Sequence, residues 1–234
     1  MPDWRRLRER AAPGGRSPAT NKLKDTKIMA LIHISRNKLK AAAYFSAKDD
    51  IRYYLNGVLI ESTPLQTRLC ATDGHALFCA KDDAKGDNDG TFTGIVPNDT
   101  VKQILAWKAP YKGAADLPVV ITTAETEQRA EWCGNTAVFK LLDGKFPEYA
   151  RVVPEKVSGD ASHIDPELLM RCKRAVEALG LNKFGHFAFK QGGDNSAIAV
   201  FSVEAFAVVM PLRGGEADVA DVAWAREALP VTAA

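Results

Sequence analysis

One order of predicted elements occurs three times along this 234-residue sequence, and it constrains the fold more than any other feature. Each repeat starts with a short alternating apolar segment and continues with an amphipathic helical stretch. It then ends with segments rich in β-branched and aromatic residues. The repeats begin near residues 31, 91 and 162, so successive starts lie roughly 60 and 70 residues apart. The sequence therefore predicts an α+β fold made of three βαβββ units.

Capping residues support the helix positions. Ser35 precedes the first helical stretch, and Asp165 followed by Pro166 is a strong signal for the start of the third helix, which stops at Gly180. The predicted helices are 36–45, 99–108 and 167–179, and the predicted strands are 31–34, 51–62, 67–81, 91–96, 118–124, 129–134, 136–144, 162–164, 186–191, 196–202 and 205–211.

Charge divides the chain into a neutral middle and two charged ends. Residues 1–28 have a net charge of +5, residues 214–234 a net charge of −3, and the remainder is balanced. The first segment is rich in Pro, Gly, Ser and Arg and is expected to be a disordered basic leader, or an extension ahead of a true start at Met29. The last segment is an acidic tail in which apolar residues recur at helical spacing, so a short helix is one option.

Several classes of protein are disfavoured by composition. Four cysteines and four histidines are scattered without CxxC spacing, so a zinc site is not expected. A reducing, cytoplasmic location is expected instead. No apolar run approaches the ~18 residues of a membrane span, and the N-terminal residues lack the apolar core of a secretory signal.

The predicted helices carry basic residues on faces away from their apolar stripes. Arg36 and Lys40 lie four residues apart on the first helix, and Lys102 lies on the second. The third helix carries Arg171, Lys173 and Arg174. Solvated helix faces are the simpler interpretation of any one helix, whereas three in register favour a shared phosphate-facing surface. Such contacts would be independent of sequence and weakened by salt.

The segment ATDGHAL at 71–77 raises the question of catalysis, since it places Asp73, Gly74 and His75 together. No nucleophile is partnered with the acid and the histidine in the sequence. A glycine at this position suits a tight turn between two strands. A structural turn is therefore favoured over an active site, and no catalytic residue is expected.

Four separated motifs resemble the bacterial DNA polymerase III beta subunit, the sliding clamp: RYYLNGVLIES, LCATDGHALFCAK, KLLDGKFPEYARVVP and AFAVVMPLR. They occur in the order of that family. The resemblance implies that residues 29–157 are a central-domain-like region of two βαβββ units. It further implies that residues 158–213 are one unit of a partial C-terminal clamp-like domain. A first domain and about half of the third would have no counterpart here.

The resemblance also implies a hydrophobic pocket that captures short peptides of polymerases and clamp loaders, with the ATDGH turn as one wall. A methionine in such a pocket adapts to varied peptide side chains. The family usually has a basic residue after the histidine, where this sequence has Ala76. The pocket residues carried over are Leu55, Thr72, Gly74, His75, Leu77, Pro147, Arg151, Val152, Val208, Val209, Met210, Pro211, Leu212 and Arg213.

For DNA, the resemblance adds the loop and strand start before the first pocket residue to the basic helices. The candidate DNA contacts are Arg36, Lys40, Lys48, Arg52, Tyr53, Tyr54, Lys102, Arg171, Lys173 and Arg174. The expected function is a non-catalytic processivity factor of DNA replication, with double-stranded DNA, a polymerase and a clamp loader as partners. No cofactor is expected, because encircling DNA needs only transient contacts with phosphates. A homo-oligomer would be needed to close a ring. The alternative is a monomeric peptide-binding adaptor or decoy that competes with a host clamp and does not encircle DNA.

Overall fold

The computed structural model describes residues 29–83, 88–125 and 127–212, in which three groups of elements follow one another. Unit 1 is β1 Ala30–Ile34, α1 Arg36–Ala43, β2 Gly57–Ser62, β3 Gln66–Thr72 and β4 Ala76–Asp83. Unit 2 is β5 Phe92–Pro97, α2 Asn98–Ala106, β6 Val119–Thr123, β7 Gln128–Trp132 and β8 Asn135–Phe139. Unit 3 is α3 Pro166–Leu179, β9 Ala188–Gly192, β10 Asn195–Ser202 and β11 Ala205–Val209. Short 3₁₀ helices lie at Tyr53–Leu55, Ala114–Asp116 and Tyr149–Val152.

Units 1 and 2 exchange their first strands. The four-stranded sheet has the order β1-β6-β7-β8, so unit 1 supplies the strand that pairs with β6. Conversely, β5 of unit 2 pairs antiparallel with β2 of unit 1. Neither unit completes its sheet without the other, which makes the two units one interlocked body.

Unit 3 joins this body along a single seam, the antiparallel pairing of β4 with β11. The register runs from Ala80 opposite Ala205 to Ala76 opposite Val209, and it creates a seven-stranded sheet in the order β5-β2-β3-β4-β11-β10-β9. Helix α3 packs against α1 on the inner face of this sheet. The seam is therefore covered by a helix pair on one side.

The main core lies between the sheets and the helices. Phe45, which follows α1, stacks on Phe78 of β4 at 5.5 Å between ring centroids, and Phe78 stacks on Phe201 of β10 at 6.2 Å. The first two rings are fully buried. Burial of a side chain of this size stabilises the fold by about 1.5–3 kcal/mol. Because the stack contains rings from units 1 and 3, it also stabilises the contact between these two units.

The helix caps follow the sequence signals. The Ser35 hydroxyl accepts a hydrogen bond from the Lys38 N–H, and the Asp165 carboxylate accepts one from the Glu167 N–H at 2.9 Å. Gly180 ends α3 with a φ of 69°, a conformation that favours glycine. The α+β fold predicted from these signals is confirmed.

Four predicted strand segments differ from the structure. The segment 67–81 is two strands with a turn between them, and the segment 136–144 ends as a strand at Phe139. Residues 162–164 form no strand, so unit 3 has no strand ahead of its helix in the described part of the chain. The first part of the predicted strand 51–62 is a turn and a 3₁₀ helix instead. There Asn56 closes the loop by donating from its side chain to the Asp50 carbonyl at 2.8 Å and accepting the Asp50 N–H at 3.0 Å. This local hydrogen bonding competes with strand pairing.

The expectations for residues 1–28 and for Arg213 and the tail at 214–234 concern segments outside the described residues. In the described ranges, no helix combines the length and the apolar character that a membrane crossing requires.

Candidate functional site

The ATDGH segment is a tight turn between β3 and β4 that is held by its own side chains. The Asp73 carboxylate accepts the N–H groups of His75 and Ala76 at 2.9 and 3.0 Å. The Thr72 hydroxyl accepts the Gly74 N–H and donates to the Ala76 carbonyl. Gly74 has a φ of 94°, where a side chain would be strained. The acid shapes the turn and makes no acid–base pair with the imidazole of His75.

Asp73 also forms an ion pair with Arg171 of α3, which connects the turn to unit 3. Burial by itself raises the pKa of Asp73. The hydrogen bonds from Arg171, Ala76 and His75 more than offset that effect, and the pKa ends below its usual value. The carboxylate is therefore held in its charged form across the seam.

Arg52 approaches the same turn from the loop before β2. Its guanidinium donates to the Asp73 carbonyl at 3.2 Å and forms a two-point ion pair with the Asp50 carboxylate. The hydrogen bond from the Arg52 side chain is the main reason that the pKa of Asp50 falls to about 2. The loop before β2, the ATDGH turn and α3 are thus connected by a row of side chains of alternating charge: Asp50, Arg52, Asp73 and Arg171.

The outer face of the seam is apolar. Leu77 and Val208 lie directly opposite each other in the register of β4 and β11, and both are buried. They belong to a second hydrophobic cluster, separate from the main core, with Leu59, Ile95 and Phe146. The seam is closed beyond them by a hydrogen bond from the Met210 N–H to the His75 carbonyl at 2.9 Å.

Exposed apolar side chains border this face. Met210 is 41% exposed, Leu212 is 55% exposed and Val152 is 40% exposed. Val209 lies elsewhere, because alternate residues of a strand face opposite sides of the sheet. Its side chain is buried in the main core, so its assignment to the pocket wall is corrected.

The remaining predicted pocket residues differ in exposure. Leu55 and Thr72 are buried, and Pro211 is half-buried. Pro147 and Arg151 are exposed, and Arg151 forms an ion pair with Glu148. Arg213 lies outside the described residues.

A cavity of about 500 Å³ lies on the same outer face, further along the seam. Its apolar lining includes Cys70, Cys79, Tyr149, Val153 and Phe206. Cys79 and Phe206 are each two residues along their strand from Leu77 and Val208. None of the predicted pocket residues lines this cavity.

The lining residues of this cavity were not predicted, although the sequence contains a signal for them. The alternation of Leu77 with Cys79 and of Val208 with Phe206 predicts that these pairs share one face of the sheet. What the pattern lacks is the position of the 149–155 segment, which packs over that face through Tyr149 and Val153.

A second cavity, of about 390 Å³, collects several candidate DNA contacts at the end of α1. It is lined by Lys48, Arg52, Arg171 and Arg174 together with His75, and by the carboxylates of Asp50 and Asp73. Lys48 and Arg174 are exposed, and neither makes an ion pair with a described residue. We call Lys48, Arg52, Arg171 and Arg174 the basic cluster.

Arg36 does not belong to a phosphate-facing surface, which corrects its assignment as a DNA contact. Its guanidinium donates to the carbonyls of Leu105 and Trp107 at 2.6 and 3.0 Å, at the C-terminal end of α2. It also lies 4.6 Å from the Trp132 ring centroid. Helical spacing alone put Arg36 beside Lys40, but its long side chain turns towards the unpaired carbonyls of α2. Burial there lowers its pKa.

The other candidate DNA contacts are distributed over the helices and the loop before β2. Lys40 is exposed, while Lys102 is paired with Asp99 at 3.1 Å and Lys173 with Glu177 at 3.7 Å. Tyr53 is exposed, and its ring meets that of Tyr54 edge-on. Tyr54 is half-buried against the outer hydrophobic cluster.

Comparison with known proteins adds family information to this geometry. Residues 33–148 match the family model for the central domain of the DNA polymerase III beta subunit. The beta sliding clamp of Vibrio cholerae is 33% identical over 123 residues, which is 53% of this chain but 32% of the relative. The chain thus matches about a third of the length of this curated relative.

Residues 33–148 are thus similar in sequence to a beta-clamp central domain.

Solved clamp structures share the fold of the larger part of the chain. The Pseudomonas aeruginosa DNA polymerase sliding clamp with ligand aligns with 86% of this chain and 73% of its own, at 22% identity and a TM-score of 0.59. The Helicobacter pylori beta clamp bound to a DNA ligase peptide aligns with 86% of this chain and 70% of its own, at 12% identity and a TM-score of 0.62. Because the alignments extend beyond the clamp domain, unit 3 shares the fold as well.

The described part of the clamp domain and of unit 3 contains no group of three or more His, Cys, Asp or Glu side chains suited to a metal ion. That no cofactor is needed stays a prediction.

Proposed function

We propose that this chain is a non-catalytic, sliding-clamp-like processivity factor of DNA replication that acts in the cytoplasm. It captures short peptides of a polymerase and a clamp loader on the outer face of the β4–β11 seam. It also binds duplex DNA independently of sequence through the basic cluster. The relatives are named beta sliding clamps, and one related structure holds a ligase peptide.

The observation that carries the peptide proposal is the apolar outer face of the seam. Leu77 and Val208 form its floor, while Met210, Leu212 and Val152 leave apolar surface exposed around it. A patch of this kind with a polar rim is typical of a protein-interaction site. Anchoring side chains of a peptide would gain binding energy there by leaving water.

The test is a titration with a fluorescent peptide that contains a glutamine and hydrophobic anchors. We expect a Kd of roughly micromolar, equivalent to about −8 kcal/mol. Met210→Asp should weaken binding by about tenfold or more, because a carboxylate would be desolvated beneath the peptide. Leu65→Asp is the matched control, since Leu65 is 81% exposed in the turn between β2 and β3. Equal affinities for the two variants, or no binding to the unaltered protein, would refute the peptide site.

The DNA proposal rests on the charge of the basic cluster. Its four basic side chains face two carboxylates, those of Asp50 and Asp73, so the site keeps an excess of positive charge. Lys48 and Arg174 are the members without an ion pair among the described residues. Contacts of such residues with phosphates release counterions, which makes affinity fall as salt rises.

Fluorescence anisotropy with a short duplex at several salt concentrations tests this contact. The doubly altered Lys48→Glu/Arg174→Glu protein should bind more weakly, and the slope of log K against log salt should become shallower by about 2. Lys145→Glu is the control, because Lys145 is exposed beside the outer hydrophobic cluster. An unchanged slope in the double variant would remove the basic cluster from the DNA contact.

The second candidate is the adaptor or decoy that binds peptides without encircling DNA. One observation favours it: the exposed lysines of α2 and α3 are each paired with a carboxylate, Lys102 with Asp99 and Lys173 with Glu177. These two lysines therefore offer phosphates little net charge, which leaves Arg174 as the exposed basic residue of α3 outside any ion pair with a described residue. Tight peptide binding together with no measurable binding to duplex DNA at low salt would support the adaptor and exclude the clamp.

A further inference from the structure

Two of the four cysteines lie side by side on the outer face of the seven-stranded sheet. Cys70 of β3 and Cys79 of β4 are directly opposite each other in the antiparallel register. Both belong to the outer hydrophobic cluster, and both are free thiols. The Cys79 thiol donates a hydrogen bond to the Cys70 sulfur, with 2.8 Å between the two sulfur atoms. The hairpin therefore holds a pair of reduced thiols in direct contact.

The backbone of this pair already has the spacing that a disulfide requires. Opposite residues of antiparallel strands have Cα atoms about 4.5 or 5.5 Å apart, and disulfides span Cα distances of about 4.4–6.8 Å. The sulfur atoms need only approach from 2.8 Å to the bond length of about 2.05 Å. Rotation of the two short side chains supplies that approach, so neither strand has to move.

The other two cysteines lie elsewhere. Cys172 of α3 is buried in the main core, and Cys133 of the β7–β8 turn is half-buried against that core. Neither belongs to the outer hydrophobic cluster. In the described ranges, the hydrogen bond between Cys79 and Cys70 is the only one that joins two thiols. These two other cysteines therefore serve as internal references for the reactivity of the pair.

The cavity of about 500 Å³ on the outer face gives small molecules access to the pair. Cys70 and Cys79 both line it. The exposed charged side chains of Lys81 and Glu155 line it as well, so it opens to solvent. A water molecule takes up about 30 Å³ in the liquid, and hydrogen peroxide has only one oxygen atom more. Peroxide can therefore reach the sulfur atoms while the protein stays folded.

The surroundings of the two thiols indicate how they share the chemistry. The hydrogen bond that Cys79 donates to Cys70 raises the pKa of the Cys79 thiol, and burial and the carboxylate of Glu61 raise it further. Cys79 therefore keeps its proton, and the Cys70 sulfur is the nucleophile. The Arg68 guanidinium interacts electrostatically with Cys70 and lines the same cavity. A positive charge of this kind accompanies reactive cysteines in proteins.

We propose that Cys70 and Cys79 form a reversible disulfide when the chain meets hydrogen peroxide. The Cys70 sulfur attacks one peroxide oxygen, the O–O bond breaks, and the leaving hydroxide takes the Cys70 proton to become water. The Cys79 sulfur then attacks the sulfur of the Cys70 sulfenic acid, the S–O bond breaks, and a second water leaves with the Cys79 proton. The two thiols lose two electrons, and one peroxide is reduced to two waters. A dithiol reductant restores both thiols by exchange.

The disulfide locks the hairpin that carries the ATDGH turn. It closes a ring that contains residues 70–79, and such a cross-link restricts the states in which the two strands separate. Because β4 pairs with β11, the seam is stabilised together with the hairpin. In a reducing compartment, disulfides of this kind are transient and serve redox sensing. The proposal does not depend on the binding of peptide or DNA.

Mass spectrometry of the full chain tests the proposal. The folded protein is treated with hydrogen peroxide, quenched, unfolded, alkylated and digested with trypsin. Cleavage after Arg68 and Lys81 releases both cysteines in one peptide, 69–81, and leaves Cys133 in another, 130–140. We expect peptide 69–81 to lose two hydrogen atoms and to escape alkylation, about tenfold or more faster than Cys133 is oxidised. Dithiothreitol added before alkylation should restore both alkyl groups.

The Cys79→Ser variant tests the pairing, because it leaves Cys70 without a second thiol. Oxidation should then stop at the sulfenic acid of Cys70, which dimedone labels, and dithiothreitol-reversible loss of two hydrogen atoms should disappear. Cys133→Ser is the matched control and should form the disulfide like the unaltered chain. Circular dichroism verifies that both variants are folded.

Hydrogen exchange supplies a second readout on the unaltered protein. The amides of β3 and β4 should exchange more slowly after oxidation, whereas those of β6 and β7 should not change. Three results would overturn the proposal: full alkylation of peptide 69–81 after peroxide treatment, oxidation of Cys133 at the same rate, or a product that dithiothreitol does not reduce. The last result would mean that peroxide carries the thiols on to sulfinic acid.

Discussion

Units 1 and 2 are joined in a different way from unit 3, although all three carry a helix and three consecutive antiparallel strands. Units 1 and 2 exchange strands, since β1 completes the sheet of unit 2 and β5 completes that of unit 1. Unit 3 contacts the other two units through its edge strand β11, which pairs with β4, and through α3, which packs against α1. Units 1 and 2 thus complete each other's sheets, whereas unit 3 extends a sheet that the other two units already form.

The exposed apolar residues reflect this difference. Unit 3 and the loop that follows α3 leave Met170, Leu181, Phe184 and Val200 substantially exposed. Units 1 and 2 also expose some large apolar side chains, such as Ile51 and Leu65, but strand exchange buries most of them in the main core. We expect the exchanged pair to unfold as one cooperative body and unit 3 to open at a lower free energy.

The largest effect should come from Phe78→Ala, because Phe78 is fully buried and stacks on both Phe45 and Phe201. Removing a buried phenyl ring costs about 3–5 kcal/mol through lost burial and the cavity left behind. Urea unfolding measures the loss, and hydrogen exchange of β10 and β11 shows whether unit 3 opens first.

The control for that prediction is Phe184→Ala, which removes the same ring where it is 61% exposed. Its effect should lie within about 0.5 kcal/mol. If Phe78→Ala left the exchange of β10 and β11 no faster than that of β6 and β7, the lower stability expected for unit 3 would be wrong.

Much of this architecture could be predicted from local signals, and the exceptions have specific physical causes. Ser35, Asp165 and Gly180 determine helix ends through hydrogen bonds and backbone conformation within a few residues. The inward turn of Arg36 depends on carbonyls of Leu105 and Trp107, about 70 positions away in sequence, and no local pattern contains that contact.

The candidate site shows the same division. The family resemblance pointed to Leu77 and Val208, and the structure places these two residues opposite each other on the apolar face. The cavity beside Cys79 and Phe206 was missed, since it exists only where the 149–155 segment packs over the sheet. Val209 was assigned to the wrong face because the motif was taken as a continuous run, while a strand presents alternate residues to opposite sides.

An intermediate effect is expected from Gly57→Ala, which tests the strand exchange itself. Gly57 lies in β2 opposite Pro97 of β5, and a Cβ there would meet the Val96 carbonyl oxygen at 2.5 Å and the Ile95 side chain at 2.8 Å. The overpacking should cost about 1–3 kcal/mol, because a backbone atom must move. Hydrogen exchange should accelerate in both sheets together, since each depends on the other unit.

Thr93→Ala is the comparison variant, because Thr93 is exposed on β5 in the same strand pair. Its cost should stay below about 1 kcal/mol. Accelerated exchange confined to β2 and β5 after Gly57→Ala, with the four-stranded sheet unaffected, would contradict the view that units 1 and 2 form one cooperative body.

The smallest effect concerns the ion pair between Asp73 and Arg171, which links the ATDGH turn of unit 1 to unit 3. Asp73→Asn keeps an oxygen for the two turn N–H groups but removes the charge. We expect a loss of about 1 kcal/mol at neutral pH, since the pair is partly exposed. Urea unfolding of both proteins between pH 7 and pH 3 measures the difference.

The pH dependence distinguishes the ion pair from a loss of packing. The pKa of Asp73 is lowered in the folded protein, so its contribution to stability is complete above the unfolded pKa of about 3.9 and is lost as the pH falls through the folded value. The gap between the two proteins should therefore close below about pH 4. Asp143→Asn, at an exposed carboxylate without an ion pair to any described residue, should show no such gap. A gap of constant size down to pH 3 would mean that Asp73 stabilises the turn alone, and that unit 3 is held by β11 and the aromatic stack without help from this charge.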